Sequence, residues 1–135
     1  MSIDLQSKLT PLPRLYKEIT LDVGGEAVHL IIRRPPRTVM AMLLSEARKA
    51  GELDEQDKPK DGGCAMRLMA RMAASVLYAP DGVRPLYDRK NPEVIENLVE
   101  NAEWLLDIQE DVVGALGANG AVVERIQGNS EATQT

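Results

Sequence analysis

Carboxylates are the side chains whose spacing first suggests chemistry. Glu93, Glu96, Glu100, Glu103, Asp107 and Glu110 follow at intervals of three, four, three, four and three residues. On an α-helix that rhythm puts all six on one face, and no Lys or Arg lies among them. Paired carboxylates do general acid–base work when a cleft holds them in unlike environments, as glycoside hydrolysis requires. A row along one exposed helix face supplies neither the cleft nor the difference. The row is then a solvated face, an electrostatic guide for a basic partner, or a face folded against Arg67, Arg71, Arg84, Arg89 or Lys90. As a guide it would act mainly on association rate. Like charges at these spacings cost roughly 0.2–0.5 kcal/mol each in an isolated helix. A buried stripe must therefore hold the segment helical.

The remaining reactive groups are few. One Cys and one His exclude a disulfide framework and a zinc site of clustered Cys and His. Cys64 opens a helical stretch, where a thiol pKa can fall, but no base accompanies it. His29 falls on the polar side of an alternating run and is expected to be exposed. Gly24-Gly25, Gly62-Gly63 and Gly114–Gly117 lack the Lys-Ser/Thr of a phosphate loop. No catalytic residue, cofactor site or metal site is expected, and the chain does not read as an enzyme.

Residues suited to holding a partner are easier to find. Met66, Met69 and Met72 recur at a spacing of three. They read either as filler in a core without Phe or as an adaptable apolar groove, because Met repacks around varied partners. Trp104 falls between the acidic face and the apolar stripe, as a half-buried packing residue or an interface anchor. The candidate partner-binding set is Met66, Met69, Met72, Trp104, Glu96, Glu100, Glu103 and Asp107.

These residues need elements to position them. Ile19, Leu21 and Val23 alternate with polar residues up to Gly24-Gly25, and Val28, Leu30 and Ile32 alternate after it. That is a hairpin signal, pairing Val23 with Glu26, Leu21 with Val28 and Ile19 with Leu30. The register puts the paired aliphatics on one face, which requires a helical cover. After Pro35-Pro36, apolar residues at spacings of three and four predict a helix over 37–50, with Arg48 and Lys49 in its last turn and Gly51 beyond it. Glu52 to Gly63 reads as an exposed loop. A second helix is predicted over 62–78, then Ala79-Pro80-Asp81-Gly82 as a turn, then a short extended piece from Val83 to Tyr87. Asn91-Pro92-Glu93 is a helix start, and Leu98, Ala102, Leu105, Val112 and Leu116 continue a stripe that Gln109 interrupts. A third helix of about 25 residues, ending near Gly117, follows from that period. The fold class is α+β, mostly helical: an N-terminal hairpin packed on three helices, the last long and acidic. The domain spans 16–117, between an irregular lead-in (1–15) and a flexible tail (118–135).

Composition narrows the class. The chain has 135 residues, an apolar fraction of 44%, aromatics at 3% and no Phe. Its core must be built of Leu, Val, Ile, Ala and Met. The net charge of -5 is unevenly spread. Residues 1–90 carry 15 basic and 12 acidic side chains, so +3, and residues 91–135 carry 1 and 9, so -8. Such asymmetry suggests an internal match or a partner. It weighs against general nucleic-acid binding. Arg33, Arg34 and Arg37 form a basic cluster, but no aromatic residue interleaves with it for base stacking. No signal-peptide pattern opens the chain and no run approaches a membrane span. With a single unpaired Cys, a reducing cytoplasm is expected.

The stretch Ser75-Val76-Leu77-Tyr78-Ala79-Pro80-Asp81-Gly82-Val83-Arg84-Pro85-Leu86-Tyr87 resembles one in the tail assembly chaperones of long-tailed bacteriophages. There a helix ends in an Asp-Gly turn, a Leu-aromatic pair follows, and a polar residue caps a long, acid-rich last helix. Leu86-Tyr87 takes the place of the pair, and Asn91 with Pro92 opens the last helix. Residues 16–50 also resemble the family's hairpin and first helix. The lack of Phe and the presence of Pro85 depart from the pattern. The resemblance implies a chaperone, encoded by a phage or prophage, that binds the tape-measure protein and keeps it soluble in the host cytoplasm before the tail tube polymerises. The major tail-tube protein is a further possible partner, and a long amphipathic helix allows self-association. The alternatives are a structural tail or head–tail protein retained in the virion and a regulatory module using Arg33, Arg34 and Arg37 on DNA.

Overall fold

Two glycines set the first fold element. Gly24 and Gly25 both adopt positive φ, at 60° and 85°, the conformation a tight two-residue hairpin turn demands. The Asp22 carboxylate accepts a hydrogen bond from the Gly25 amide at 3.1 Å. The turn joins β1 (Arg14–Val23) to β2 (Glu26–Arg34). Val23 pairs with Glu26, Leu21 with Val28 and Ile19 with Leu30, the predicted register. The computed structural model describes residues 13–117. Most of the predicted lead-in and all of the predicted tail lie outside them, and β1 begins at Arg14 rather than after residue 15.

One irregularity in β1 has a consequence for packing. The register shifts between Leu15 and Lys17. Strict alternation from Ile19 would turn Leu15 toward the helices and Tyr16 away. The bulge reverses this phase: Tyr16 packs against the core and Leu15 is exposed.

Helix α1 (Thr38–Lys49) ends as predicted, with Arg48 and Lys49 in its last turn and Gly51 beyond it at φ +76°. The following loop is not simply exposed. Glu52, Leu53 and Pro59 are buried, Leu53 bridges Pro59, and the Lys60 amide donates to the Glu52 carbonyl at 3.0 Å. Asp61 then caps α2 (Gly62–Val76), accepting from the Cys64 amide at 2.8 Å.

Helix α2 stops two residues short of its predicted end. Leu77 and Tyr78 form β3, antiparallel to β2 through Leu77–Ile32 and Tyr78–Ile31. The sheet order is β1-β2-β3. Helical periodicity and a buried strand look alike in so short an apolar run, and the pairing with distant Ile31 and Ile32 decides between them. Beyond β3, Pro85 bridges Tyr78 and the Leu86 amide donates to the Leu77 carbonyl. Pro85 has no N–H to offer a further strand, so this side of the sheet is closed.

The single long helix is the main correction. Residues 92–116 form α3 (Pro92–Asn101), a 3-10 helix (Glu103–Ile108) and α4 (Gln109–Leu116). The break is at Ala102, with φ -96° and ψ 79°. Its physical reason is Gln109. A continuous α-helix that buried Leu98, Ala102, Leu105 and Val112 would turn Gln109 inward, where an unpaired amide is costly. Three-residue winding instead brings Ile108 inward: Leu105 and Ile108 are buried and Gln109 is half-buried.

The core joins Leu30 and Ile32 of the sheet, Leu43 of α1, Leu68, Met69, Met72 and Val76 of α2, and Ile95, Leu98, Leu105 and Val112 of the C-terminal helices. Tyr16, Tyr87 and Trp104 pack at its margin. The α+β class holds: a three-stranded antiparallel sheet and helices. Among the described residues, no helix is long and apolar enough to cross a membrane.

Candidate functional site

The predicted set is only partly brought together. Met69 and Met72 are 1% and 0% exposed, and Met66 is half-buried against the core. They fill the space that Phe would take elsewhere and form no open groove. Glu96 does not join an acidic surface either. It lies beside Arg67, whose Nε donates to Glu96 Oε1 at 2.5 Å. That bond holds the Arg67 guanidinium above its usual pKa. One arm of the intramolecular reading is thus realised, although Arg71 and Arg89 turn to other carboxylates.

Glu100, Glu103 and Asp107 are exposed, and no salt bridge to them occurs among the described residues. The break at Ala102 takes them off one straight helical face. It also moves Trp104 over the hairpin turn. A recess of about 380 Å³ opens there, lined by Asp22, Val23, Gly24, Asn101, Glu103, Trp104 and Asp107. Trp104 is half-buried, Val23 in the lining is 39% exposed, and Leu106, outside the lining but on the same 3-10 helix, is 59% exposed. An aromatic wall, an aliphatic edge and three carboxylates suit a segment that carries Lys or Arg beside apolar residues. This is the candidate site.

A second recess, of about 500 Å³, opens near the start of α3. It is lined by Ala74, Ser75, Tyr78, Pro85, Leu86, Tyr87, Asp88, Arg89 and Lys90. Burial pushes the Tyr87 phenol above its usual pKa. The two recesses adjoin opposite ends of α3, whose ten residues span about 15 Å.

Sequence reasoning missed the strongest electrostatic feature. Arg71, 13% exposed, grips Glu52 with Nη2 to Oε2 at 3.0 Å and Nε to Oε1 at 3.4 Å. Glu46 lies between Arg71 and Arg89, with its Oε1 3.4 Å from Arg89 Nε and its Oε2 3.9 Å from Arg71 Nη1. That Oε2 is buried and has no hydrogen-bond partner among the described residues. The cluster ties α1, the loop after it, α2 and the segment before α3. Four residues from distant segments carry no common spacing, so no sequence signal identifies them.

The other singled-out residues are structural. Arg33 donates to the carbonyls of Gly82 and Pro13 at 2.7 and 2.8 Å and lies over the Tyr78 ring. Arg34 lies over Tyr16, 5.1 Å from the ring centre. Two of the three arginines of the basic cluster are therefore held by the protein itself. His29 is exposed and shares a 2.9 Å hydrogen bond with Thr20. Cys64 is buried, and burial, with Asp61 adding to it, pushes its thiol pKa up, the reverse of an activated nucleophile. No protein-family model, curated protein or solved structure matches the chain.

Proposed function

We propose that this protein is an assembly chaperone for the tail of a long-tailed bacteriophage or prophage. It holds the tape-measure protein soluble in the host cytoplasm until the tail tube polymerises around it. The observation that carries the reading is the order of features from α2 to α3. The Asp81-Gly82 turn follows the end of α2, the Leu86-Tyr87 pair comes next, and Asn91 caps α3 by accepting from the Glu93 amide at 3.0 Å. That is the order in the tail assembly chaperones that residues 75–92 resemble. The break at Ala102 departs from their long last helix, and β3 stands between the end of α2 and the turn, where their helix runs into it.

The Trp104 recess supports the reading as a means of action. A tape-measure helix displays apolar stripes before assembly, and a soluble complex needs those stripes covered by a surface that stays charged. Trp104 and Val23 provide apolar contact in the recess, exposed Leu106 extends it along the same 3-10 helix, and Asp22, Glu103 and Asp107 keep the rim hydrated. Nothing in this exchange requires nucleotide hydrolysis, because polymerising tube subunits can displace the chaperone by competition.

The test is co-expression with the long, helix-rich tail protein encoded nearby, scoring that protein's soluble fraction. The expected result is a rise in solubility and co-purification of the two chains, both reduced by Trp104→Ala and by Leu106→Asp. Unchanged solubility with no complex would remove the chaperone reading. Recovery of this chain from purified particles would instead favour a retained structural protein.

A further inference from the structure

We propose that the chain self-associates head to tail, with the 103–107 segment of one copy seated in the Tyr78–Lys90 recess of the next. The inference does not depend on the chaperone reading.

The molecule is electrically bipolar along α3. Arg89 and Lys90 precede the helix, and Glu103 and Asp107 follow it. The helix dipole adds to both ends, positive at Asn91 and negative at Asn101. Each end also opens into a recess, so the two charges are presented on concave or projecting surfaces rather than on a flat one.

The recess at the positive end has the contents of a receiving site. Tyr78 borders it and is 9% exposed, and its hydroxyl takes no hydrogen bond among the described residues. Leu86, 37% exposed, and half-buried Tyr87 supply apolar wall. The Lys90 ammonium meets no carboxylate among the described residues, and Arg89 is held to Glu46 only by a long contact of 3.4 Å. The one carboxylate in the lining, Asp88, is turned to its own backbone, accepting from the Lys90 amide at 3.0 Å.

The 103–107 segment has the complementary contents. Leu106 is 59% exposed, the most exposed large apolar side chain described. Glu103 and Asp107 flank it on the same 3-10 helix. Leu106 against Leu86 and Tyr87 would remove apolar surface from water on both copies. Glu103 and Asp107 would then meet Lys90 and Arg89. Donor and acceptor surfaces differ, so the contact is heterologous and builds a ring or an open chain rather than a two-fold dimer. Because the same acidic segment borders the Trp104 recess, self-association and partner binding would compete.

The experiment is sedimentation velocity on the full chain alone, across a concentration series at about 50 mM and about 500 mM salt. The expected result is species that grow with concentration at low salt and dissociate at high salt. Lys90→Glu and Asp107→Lys should each weaken association roughly tenfold or more, with unchanged thermal unfolding showing that both fold. Mixed together, these two variants should assemble in alternation, since every contact between unlike copies again joins opposite charges. The double variant should recover longer assemblies. A monomer at every concentration in low salt overturns the proposal. So does association that both substitutions leave unchanged, or a mixture that does not assemble.

Discussion

The Arg71 cluster and the acidic rim at Glu100, Glu103 and Asp107 use the same carboxylate chemistry in opposite settings. In the cluster, Glu46 and Glu52 are drawn from water and face guanidinium groups from α2 and the segment before α3. At the rim the carboxylates stand in water without a cation among the described residues. Removing one member of a buried set leaves an uncompensated charge in poor solvent. Removing a solvated charge leaves almost nothing behind. The cluster therefore governs whether these segments stay together, and the rim governs what the folded molecule meets.

The most severe way to break this contrast is Arg71→Met. It strands Glu52 without its guanidinium, leaves Glu46 only Arg89, and should destabilise the fold by about 3–5 kcal/mol, read from urea unfolding. Adding Glu52→Leu should recover most of that loss, because an apolar pair of similar volume replaces the ion pair. A variant that lost nothing would mean the cluster is as dispensable as the rim.

A middle-sized effect tests the element between the two regions. Asn91→Ala removes the side-chain acceptor for the Glu93 amide and should cost about 1 kcal/mol. Amide exchange across α3 should quicken more than exchange across α2 if the loss is local. Triple neutralisation of the rim (Glu100→Gln, Glu103→Gln, Asp107→Asn) should move the same unfolding midpoint by less than about 0.5 kcal/mol. It should nevertheless change the salt dependence of association.

The last prediction concerns a carboxylate that fits neither setting. Asp61 is solvent-exposed, yet the Cys64 amide, with Arg67 nearby, holds its carboxyl below the usual range. A depressed folded-state pKa stabilises the fold above the unfolded value, about 3.9, and that contribution disappears as pH falls through the folded value. Wild-type stability should therefore drop more steeply below about pH 4 than that of Asp61→Asn, which keeps an acceptor for the cap but does not titrate there. Parallel acid limbs in urea titrations at stepped pH would show that the cap is not linked to the proton.

The hairpin register was legible because each of its determinants is local. Gly24-Gly25 allows only a few turn geometries, and alternation on both sides selects the register that unites Ile19, Leu21, Val28 and Leu30. The start of α3 at Asn91-Pro92 and the end of α1 before Gly51 were legible for the same reason. The candidate site was legible in its residues but not in its shape. Trp104, Glu103 and Asp107 were identified, but their recess exists because the chain breaks at Ala102 and turns them toward Asp22 and Val23. The Met66, Met69 and Met72 spacing was equally visible, yet a helical stripe has the same period whether it faces a core or a partner.

What the sequence determined by itself was therefore the α+β class, the hairpin, the caps and an acidic C-terminal third, all set by neighbours within a few residues. Tertiary structure alone decided that Leu77 and Tyr78 leave α2 for the sheet, that Gln109 yields its inward place to Ile108, and that Arg71 pairs with Glu52 and Glu46. Each of these is a choice between local conformations or charge partners of similar free energy. Contacts across long stretches of chain, through buried area and desolvated charge, are large enough to settle it.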